Sequence, residues 1–209
     1  MYLKQFAVII SRDNFREVSS IYNVEQITAK LRRWEKYIDG FALPSWDELP
    51  DFELYMDQVL SLVSRFLDLF PHTEGSDPII TPSTINNYVR MKIMPAPVKK
   101  KYTRIHLAYL LIICTLKQNL SISVVSRIIP MNISEDEVRT IYDDFVMRHR
   151  ELCSVCSDRL GELAGIAADP ACEGEQVVEH IVMESAIYSH LYKLLTEKIV
   201  ALSIEPEDE

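Results

Sequence analysis

The stretch between Asp77 and Glu135 contains no aspartate or glutamate but eight basic residues. These are Arg90, Lys92, Lys99, Lys100, Lys101, Arg104, Lys117 and Arg127. The whole chain has 22 basic and 31 acidic residues, a net charge of −9, so the remainder, with 14 basic residues, sums to −17. A basic block in an otherwise acidic protein is typical of a surface that binds a polyanion such as DNA. The acidic remainder would repel DNA and turn the basic block toward it.

A second group of residues has the types that bind metal ions. Cys153 and Cys156 form a C-x-x-C pair, His149 precedes them by one helical turn, and Cys172 follows a predicted turn. Four such ligands would suit zinc. However, no second C-x-x-C pair is present, and the helical pattern puts Cys156 on an apolar stripe, where it would be a small core residue. We therefore predict no metal or cofactor, with the zinc site as the alternative.

The sequence supports neither catalysis nor a membrane span. It contains no phosphate-binding glycine loop, no nucleophile elbow and no set of nucleophile, base and orienting residue, so we expect no enzymatic activity. The longest apolar run, Leu107 to Cys114, is far shorter than the ~20 residues that cross a bilayer. Irregularly spaced cysteines indicate reduced thiols. We expect a cytoplasmic protein that does not bind membranes.

Apolar spacing and capping signals predict an all-α protein. Scarce glycine, five residues in 209, favours helices over a turn-rich β fold. Thr81 with Pro82, Ser121, and the pair Ser134 and Glu137 are helix-start signals. The segment Phe6–Ile10 fits either a strand or a helix. The predicted helices cover residues 24–38, 54–70, 81–93, 104–117, 121–129, a long span from 134, and 176–202.

These helices divide the chain into three regions. Residues 1–46 are a helical extension, 47–133 a helix-turn-helix domain, and 134–209 a hairpin of two long amphipathic helices. Both hairpin helices carry apolar stripes, and a hairpin alone cannot bury two such stripes. We therefore predict that the hairpin packs on the rest of the chain or on a second copy, which makes a homodimer the expected state.

The segment from Thr81 to Ile129 resembles the MerR-like winged helix-turn-helix. Thr84, Ile85 and Tyr88 match the first helix of that pattern, Ile93 to Pro95 match the turn, Lys100 to Thr103 match the end of the wing, and Leu120 to Ile122 match the joint of the last helix pair. Asn86 and Asn87 replace the Arg-Tyr pair of that family, and the wing is reduced to one short extended segment. The resemblance implies a winged helix-turn-helix with a minimal wing.

A more specific resemblance covers roughly Phe41 to Asp144. The motifs LPSWDELPDFELYMDQVLSLV, TPSTINNYV and PAPVKKKYTRIHLAYLLIICTLKQNLSIS are similar to a bacterial family known as domain of unknown function 1836. That family has no established activity, so this resemblance implies no function beyond a helix-turn-helix character.

Together these observations predict a transcriptional regulator that binds double-stranded DNA through the helix from Pro82 to Lys92. Asparagine and arginine on such a helix can reach bases and phosphates. The alternatives are a protein-interaction module without DNA readout and a sensor of an unidentified small-molecule effector. The predicted DNA-binding residues are Ser83, Thr84, Asn86, Asn87, Arg90, Lys92, Lys99, Lys100, Lys101, Tyr102 and Arg104.

Overall fold

A computed structural model describes residues 23–68, 78–169, 171 and 174–202. Within these residues the chain forms α-helices, one short 3-10 helix at Trp46–Glu48, and isolated β-bridges but no named strand, so the all-α prediction is confirmed. The α-helices are α1 (Val24–Asp39), α2 (Met56–Phe66), α3 (Pro82–Arg90), α4 (Arg104–Lys117), α5 (Ile122–Ile128), α6 (Glu135–Ala167) and α7 (Gly174–Leu202).

Some sequence predictions concern residues outside the described ones. They are the segment Phe6–Ile10, the end of the second predicted helix at residues 69–70, and Cys172. In the described part of the chain, no helix is both long and apolar enough to cross a membrane.

The helix starts follow the capping signals in the sequence. The Thr81 hydroxyl accepts the Thr84 N–H at 3.1 Å and begins α3, with Pro82 as its first residue. Ser134 and Glu137 cap each other's backbone N–H groups at the start of α6, at 2.8 and 3.3 Å. These side chains satisfy N–H groups that have no partner within the helix. The predicted starts of α3 and α6 are thus confirmed.

Helix α4 is the centre of the core. Leu107, Leu110, Leu111 and Ile113 have no solvent exposure, and the helix is apolar on nearly every side. Such a helix must be covered all round. The residues that cover it come from α2, α3, α5 and α6 and from the connector before α2, and include Val59, Val63, Ile85, Tyr88, Val125, Val138, Tyr142 and Trp46.

The first turns of α6 belong to this core. The Tyr142 hydroxyl donates to the Pro44 carbonyl at 2.7 Å, and the Trp46 N–H donates to Asp143 at 3.2 Å. Arg139 forms an ion pair with Asp47 at 2.7 Å. The compact unit around α4 therefore extends past residue 133 and includes the beginning of the long helix.

The N-terminal helix packs against the second half of α6. Ser157 donates from its hydroxyl to the Glu35 carbonyl at 3.2 Å, and a Cβ added at Gly161 would lie 2.9 Å from the Glu35 carboxylate. Small side chains at Ser157, Gly161 and Ala164 let the two helices approach closely. Helix α7 contacts both α1 and α6, and Arg159 of α6 pairs with Glu184 of α7 at 2.8 Å.

This packing corrects the predicted apolar stripe of α6. Cys153 and Ser157 are buried, whereas Cys156 is exposed and Leu152 is 68% exposed. The prediction that Cys156 is a core residue is therefore wrong. The reason is that α1 packs against the side of α6 that carries small residues, because small residues permit close contact. The side of α6 with the larger apolar residues is left exposed.

The α1–α6 contact gives a stability prediction with a matched control. Gly161→Ala should raise the free energy of unfolding by less than the same change at Gly165, because the new Cβ would lie 2.9 Å from the Glu35 carboxylate and the Glu35 side chain must turn aside. Gly165→Ala, on the same helix, should raise it by up to about 1 kcal/mol, because a Cβ there meets no atom within 4 Å. Urea unfolding measures both, and equal effects of the two substitutions would contradict this packing.

Candidate nucleic-acid interface

Helix α3 ends in a left-handed residue that is not glycine. The Ile93 N–H donates to the Tyr88 carbonyl at 3.1 Å and the Lys92 N–H to the Val89 carbonyl at 3.0 Å, which is the Schellman pattern of helix termination. Lys92 has φ of 57°, in the region that glycine usually occupies at this position. This is why α3 ends at Arg90 and not near Ile93 as predicted.

The lysine-rich segment after α3 is a tight turn and not the single extended segment predicted. Lys99 and Lys100 have φ of 51° and 65°, and the Lys101 N–H donates to the Val98 carbonyl at 2.9 Å. Two consecutive positive φ values are what a type I′ hairpin turn requires. Both lysines are exposed. We call residues Val98 to Lys101 the lysine turn.

The residues that follow attach this turn to the core. Leu54 and Tyr102 exchange two backbone hydrogen bonds of 2.8 Å, and Tyr102 is buried, with its ring against His106. Lys101 forms an ion pair with Glu53 at 2.6 Å. Lys101 and Tyr102 therefore anchor the lysine turn, while Lys99 and Lys100 are its exposed cations.

Arg104 does not join the exposed cations. Its guanidinium lies over the Trp46 ring, 5.6 Å from the ring centre, and the residue is half-buried at the start of α4. A cation over an aromatic face is attracted by the ring's negative charge distribution. Arg104 thus serves to join α4 to the connector.

An open cleft of about 920 Å³ brings together the predicted residues that lie on α3 itself. Helix α3 forms one wall, with Ser83 and Asn86 exposed and the Arg90 guanidinium bound to Asn87 Oδ1 at 2.6 Å. The end of α4 and the start of α5 form the other wall. The complete lining is Ile79, Thr81, Ser83, Thr84, Asn86, Asn87, Tyr88, Arg90, Lys117, Gln118 and Ile122.

The cleft adds residues that the sequence prediction missed. Lys117 and Gln118 end α4, far from α3 along the chain, and only the packing of α3 beside the α4–α5 junction places them across from Arg90. The one available signal was that Lys117 belongs to the acid-free stretch. Lys92, Lys99 and Lys100 lie outside the cleft lining.

The cleft is positively charged at neutral pH. Arg90 and Lys117 are the cations in its lining, and that lining includes no aspartate or glutamate. Burial raises the pKa of the Tyr88 hydroxyl to about 12, so this phenol stays neutral. A site with two cations, two asparagine amides and several hydroxyls has the donors that bind phosphate and sugar oxygens.

The possible zinc ligands do not form a metal site among the described residues. His149 Nδ1 lies 3.5 Å from Cys153 Sγ, but Cys156 is exposed, and no group of three or more ligands suited to a metal occurs in the part of the chain described. Burial raises the pKa of the Cys153 thiol, which disfavours the thiolate that binds zinc. The fourth predicted ligand, Cys172, lies outside the described residues.

Residues 44–145 match the family model described as Domain of unknown function (DUF1836). The resemblance noted from the sequence motifs is thus confirmed for this segment. The DUF1836 segment begins at Pro44 and ends at Phe145, so it spans the core around α4, including the connector and the first turns of α6 that hydrogen-bond to it. Neither a curated protein nor a solved structure matches the chain.

The base of the lysine turn depends on a neutral histidine. His106 Nδ1 accepts the Thr103 N–H at 2.9 Å and caps α4. Burial lowers the pKa of His106 below its usual 6.5, opposed in part by the Ala96 carbonyl. A protonated ring would present a donor to the Thr103 N–H and lose the cap. Burial also lowers the pKa of His149.

This arrangement predicts a pH dependence of stability. The unfolded chain protonates His106 near pH 6.5, and the folded chain protonates it only at lower pH. The contribution of neutral His106 to the free energy of unfolding should therefore be fully present above pH 6.5 and should fall as the pH drops below that value. A glutamine side chain in place of the imidazole could still accept the Thr103 N–H, so His106→Gln should flatten this loss between pH 7.5 and 5.5, leaving the part due to His149. Urea unfolding tests it, with the exposed His180→Gln as control; an unchanged pH slope in His106→Gln would contradict the role of His106.

Proposed function

We propose that this protein binds double-stranded DNA through α3 and the lysine turn, and that it regulates transcription. The observation that carries the proposal is that exposed polar and basic residues of α3 and the lysine turn come from one acid-free stretch of an acidic chain. Asn86 and Arg90 are exposed on α3, and Lys99 and Lys100 are exposed at the turn. Such a function requires a cytoplasmic location. It does not require catalytic activity, a metal or a cofactor.

Backbone strain gives a second line of support for the proposal. In the described residues four non-glycine residues have positive φ, and three are exposed lysines of the acid-free stretch: Lys92, Lys99 and Lys100. The left-handed conformation costs a non-glycine residue roughly 1–2 kcal/mol. Glycine or asparagine would be more stable at each position. Strain of this kind is retained where function requires the side chain, and the function that lysine offers here is positive charge.

We infer that α2 to α5 correspond to a MerR-like winged helix-turn-helix with the lysine turn as its wing. In this arrangement α3 enters the major groove, where asparagine can pair with adenine and arginine with guanine or phosphate. Ser83, Thr84 and Asn87 would help to orient the helix, since Thr84 and Asn87 are already held by Thr81 and Arg90. Lys92, Lys99 and Lys100 would contact the sugar–phosphate backbone of the DNA.

We also propose that the protein is a homodimer formed through α7. Six large apolar side chains form an exposed stripe along the second half of this helix: Tyr188, Leu191, Tyr192, Leu195, Ile199 and Leu202. They are 52–82% exposed and offer on the order of 700 Å². A standard interface buries about 800 Å² on each partner. A two-fold dimer would present two DNA-binding surfaces to two half-sites.

The second candidate function is a protein-interaction module without DNA readout. The pairing of Lys101 with Glu53 and the packing of Arg104 against Trp46 favour it, because they remove two cations from the exposed surface. The net charge of −9 acts in the same direction. A small-molecule sensor has no specific observation in its favour.

A variant of the lysine turn tests DNA binding without damaging the fold. Lys99→Asn/Lys100→Gly installs the residues that a type I′ turn prefers, so the free energy of unfolding should rise by about 1 kcal/mol while DNA binding weakens. Loss of two phosphate contacts should lower the salt slope, −d log K/d log [NaCl], by about 1.8. The measurement is fluorescence anisotropy with a duplex from upstream of the protein's own coding sequence, titrated with NaCl and with unrelated competitor DNA.

The matched control is Lys30→Gln/Lys36→Gln, which removes two exposed lysines of α1. It should leave the salt slope unchanged. An unchanged slope in the turn variant would contradict the assignment of the lysine turn. If the wild type binds neither DNA at about 50 mM NaCl, where phosphate contacts are strong, the DNA-binding proposal fails and the interaction module takes its place.

The dimer is tested by removing apolar contact area from α7. Light scattering at tens of micromolar should give twice the 24.1 kDa mass of the chain for the wild type and the single mass for Leu191→Gln/Leu195→Gln. Circular dichroism should be unchanged, because both leucines are more than half exposed. Leu152→Gln, an exposed leucine on α6, is the control that should stay dimeric. A monomeric wild type refutes the dimer.

A further inference from the structure

If α3 alone contacted DNA, the cleft between α3 and the α4–α5 junction would have no role in binding. The wall of the cleft opposite α3 includes Lys117 and Gln118. Insertion of α3 into the DNA groove does not by itself require these two residues. Lys117 is exposed, and the cleft lining contains no carboxylate to pair with it. The positive charge of Lys117 is therefore directed at the same space as that of Arg90.

The dimensions of DNA show what must lie in that space. An α-helix with its side chains is about 10–12 Å across and the major groove is about 12 Å wide. A helix in the groove consequently fills it, and the sugar–phosphate backbones that border the groove meet whatever flanks the helix. In this protein the α4–α5 junction flanks α3 across the cleft.

The chemistry of the cleft fits a phosphodiester backbone. Each phosphate carries one negative charge and accepts hydrogen bonds, and Arg90, Lys117 and the Gln118 amide supply charge and donors from both walls. Ile79 and Ile122 supply apolar surface suited to the sugar rings. The Asn87 carbonyl already orients the Arg90 guanidinium, at 2.6 Å.

We propose that the backbone of one DNA strand lies in this cleft and that Lys117 binds a phosphate from the wall opposite α3. This inference rests on the proposed function, and it adds a residue and a strand position to it. If Lys117 only stabilised the fold, a different result would be expected. A lysine in the last turn of a helix stabilises the helix dipole, and its loss would then change stability but not the salt dependence of binding.

The test is the NaCl dependence of binding to a fluorescein-labelled duplex of about 30 base pairs, in two sequences: the upstream region and an unrelated one. Lys117→Gln should lower the salt slope by about 0.9, which removes roughly a threefold change in affinity between about 50 and 200 mM NaCl. The loss should be the same for both sequences, because a phosphate contact carries no sequence information. Lys117→Arg should restore the wild-type slope.

Arg127→Gln is the matched control, because Arg127 is an exposed cation of the same acid-free stretch and does not line the cleft. It should leave the slope at the wild-type value. Unfolding in urea confirms that each variant is folded. The cleft inference is overturned if folded Lys117→Gln keeps the wild-type slope while the wild type binds DNA. Absence of any DNA binding by the wild type would overturn the proposed function and the cleft inference together.

Discussion

The structure depends on one helix that has no polar side. Because α4 is buried all round, every neighbouring element must turn its apolar face inward, and the polar face of each then points to solvent. For α3 this places Ile85 and Tyr88 in the core and Asn86 and Arg90 outside. The exposed surface of α3 is thus a direct consequence of the burial of α4.

The same helix positions both ends of the candidate interface. Its first residues carry the cap formed by Thr103 and His106, to which the lysine turn is joined through Tyr102. Its last residues, Lys117 and Gln118, form the far wall of the cleft. A rigid helix of 14 residues therefore holds the turn and the cleft wall about 20 Å apart at ~1.5 Å per residue.

The two halves of the long helix α6 have separate tasks. Its first turns close the DUF1836 core through Tyr142 and Asp143, while its second half packs against α1 through small residues and pairs with α7 through Arg159. A continuous helix transmits position between these regions without a linker. In the proposed dimer, the apolar face of α7 would thereby set the distance between two DNA-binding surfaces.

The sequence by itself determined the helices and the starts of α3 and α6, because capping residues and apolar spacing are local signals: Thr81, Ser134 and the all-apolar α4 needed no further context. It also determined the acid-free basic stretch. Only the tertiary structure decided which basic residues are exposed, since Glu53 and Trp46 meet Lys101 and Arg104 through contacts distant in sequence. The tertiary structure also decided that three lysines adopt the left-handed conformation, although residue preference argues against it. It decided which side of α6 is buried, because α1 packs on that side, and it placed Lys117 across from Arg90. Each of these depends on which surfaces meet, and periodicity within one segment carries no information about that.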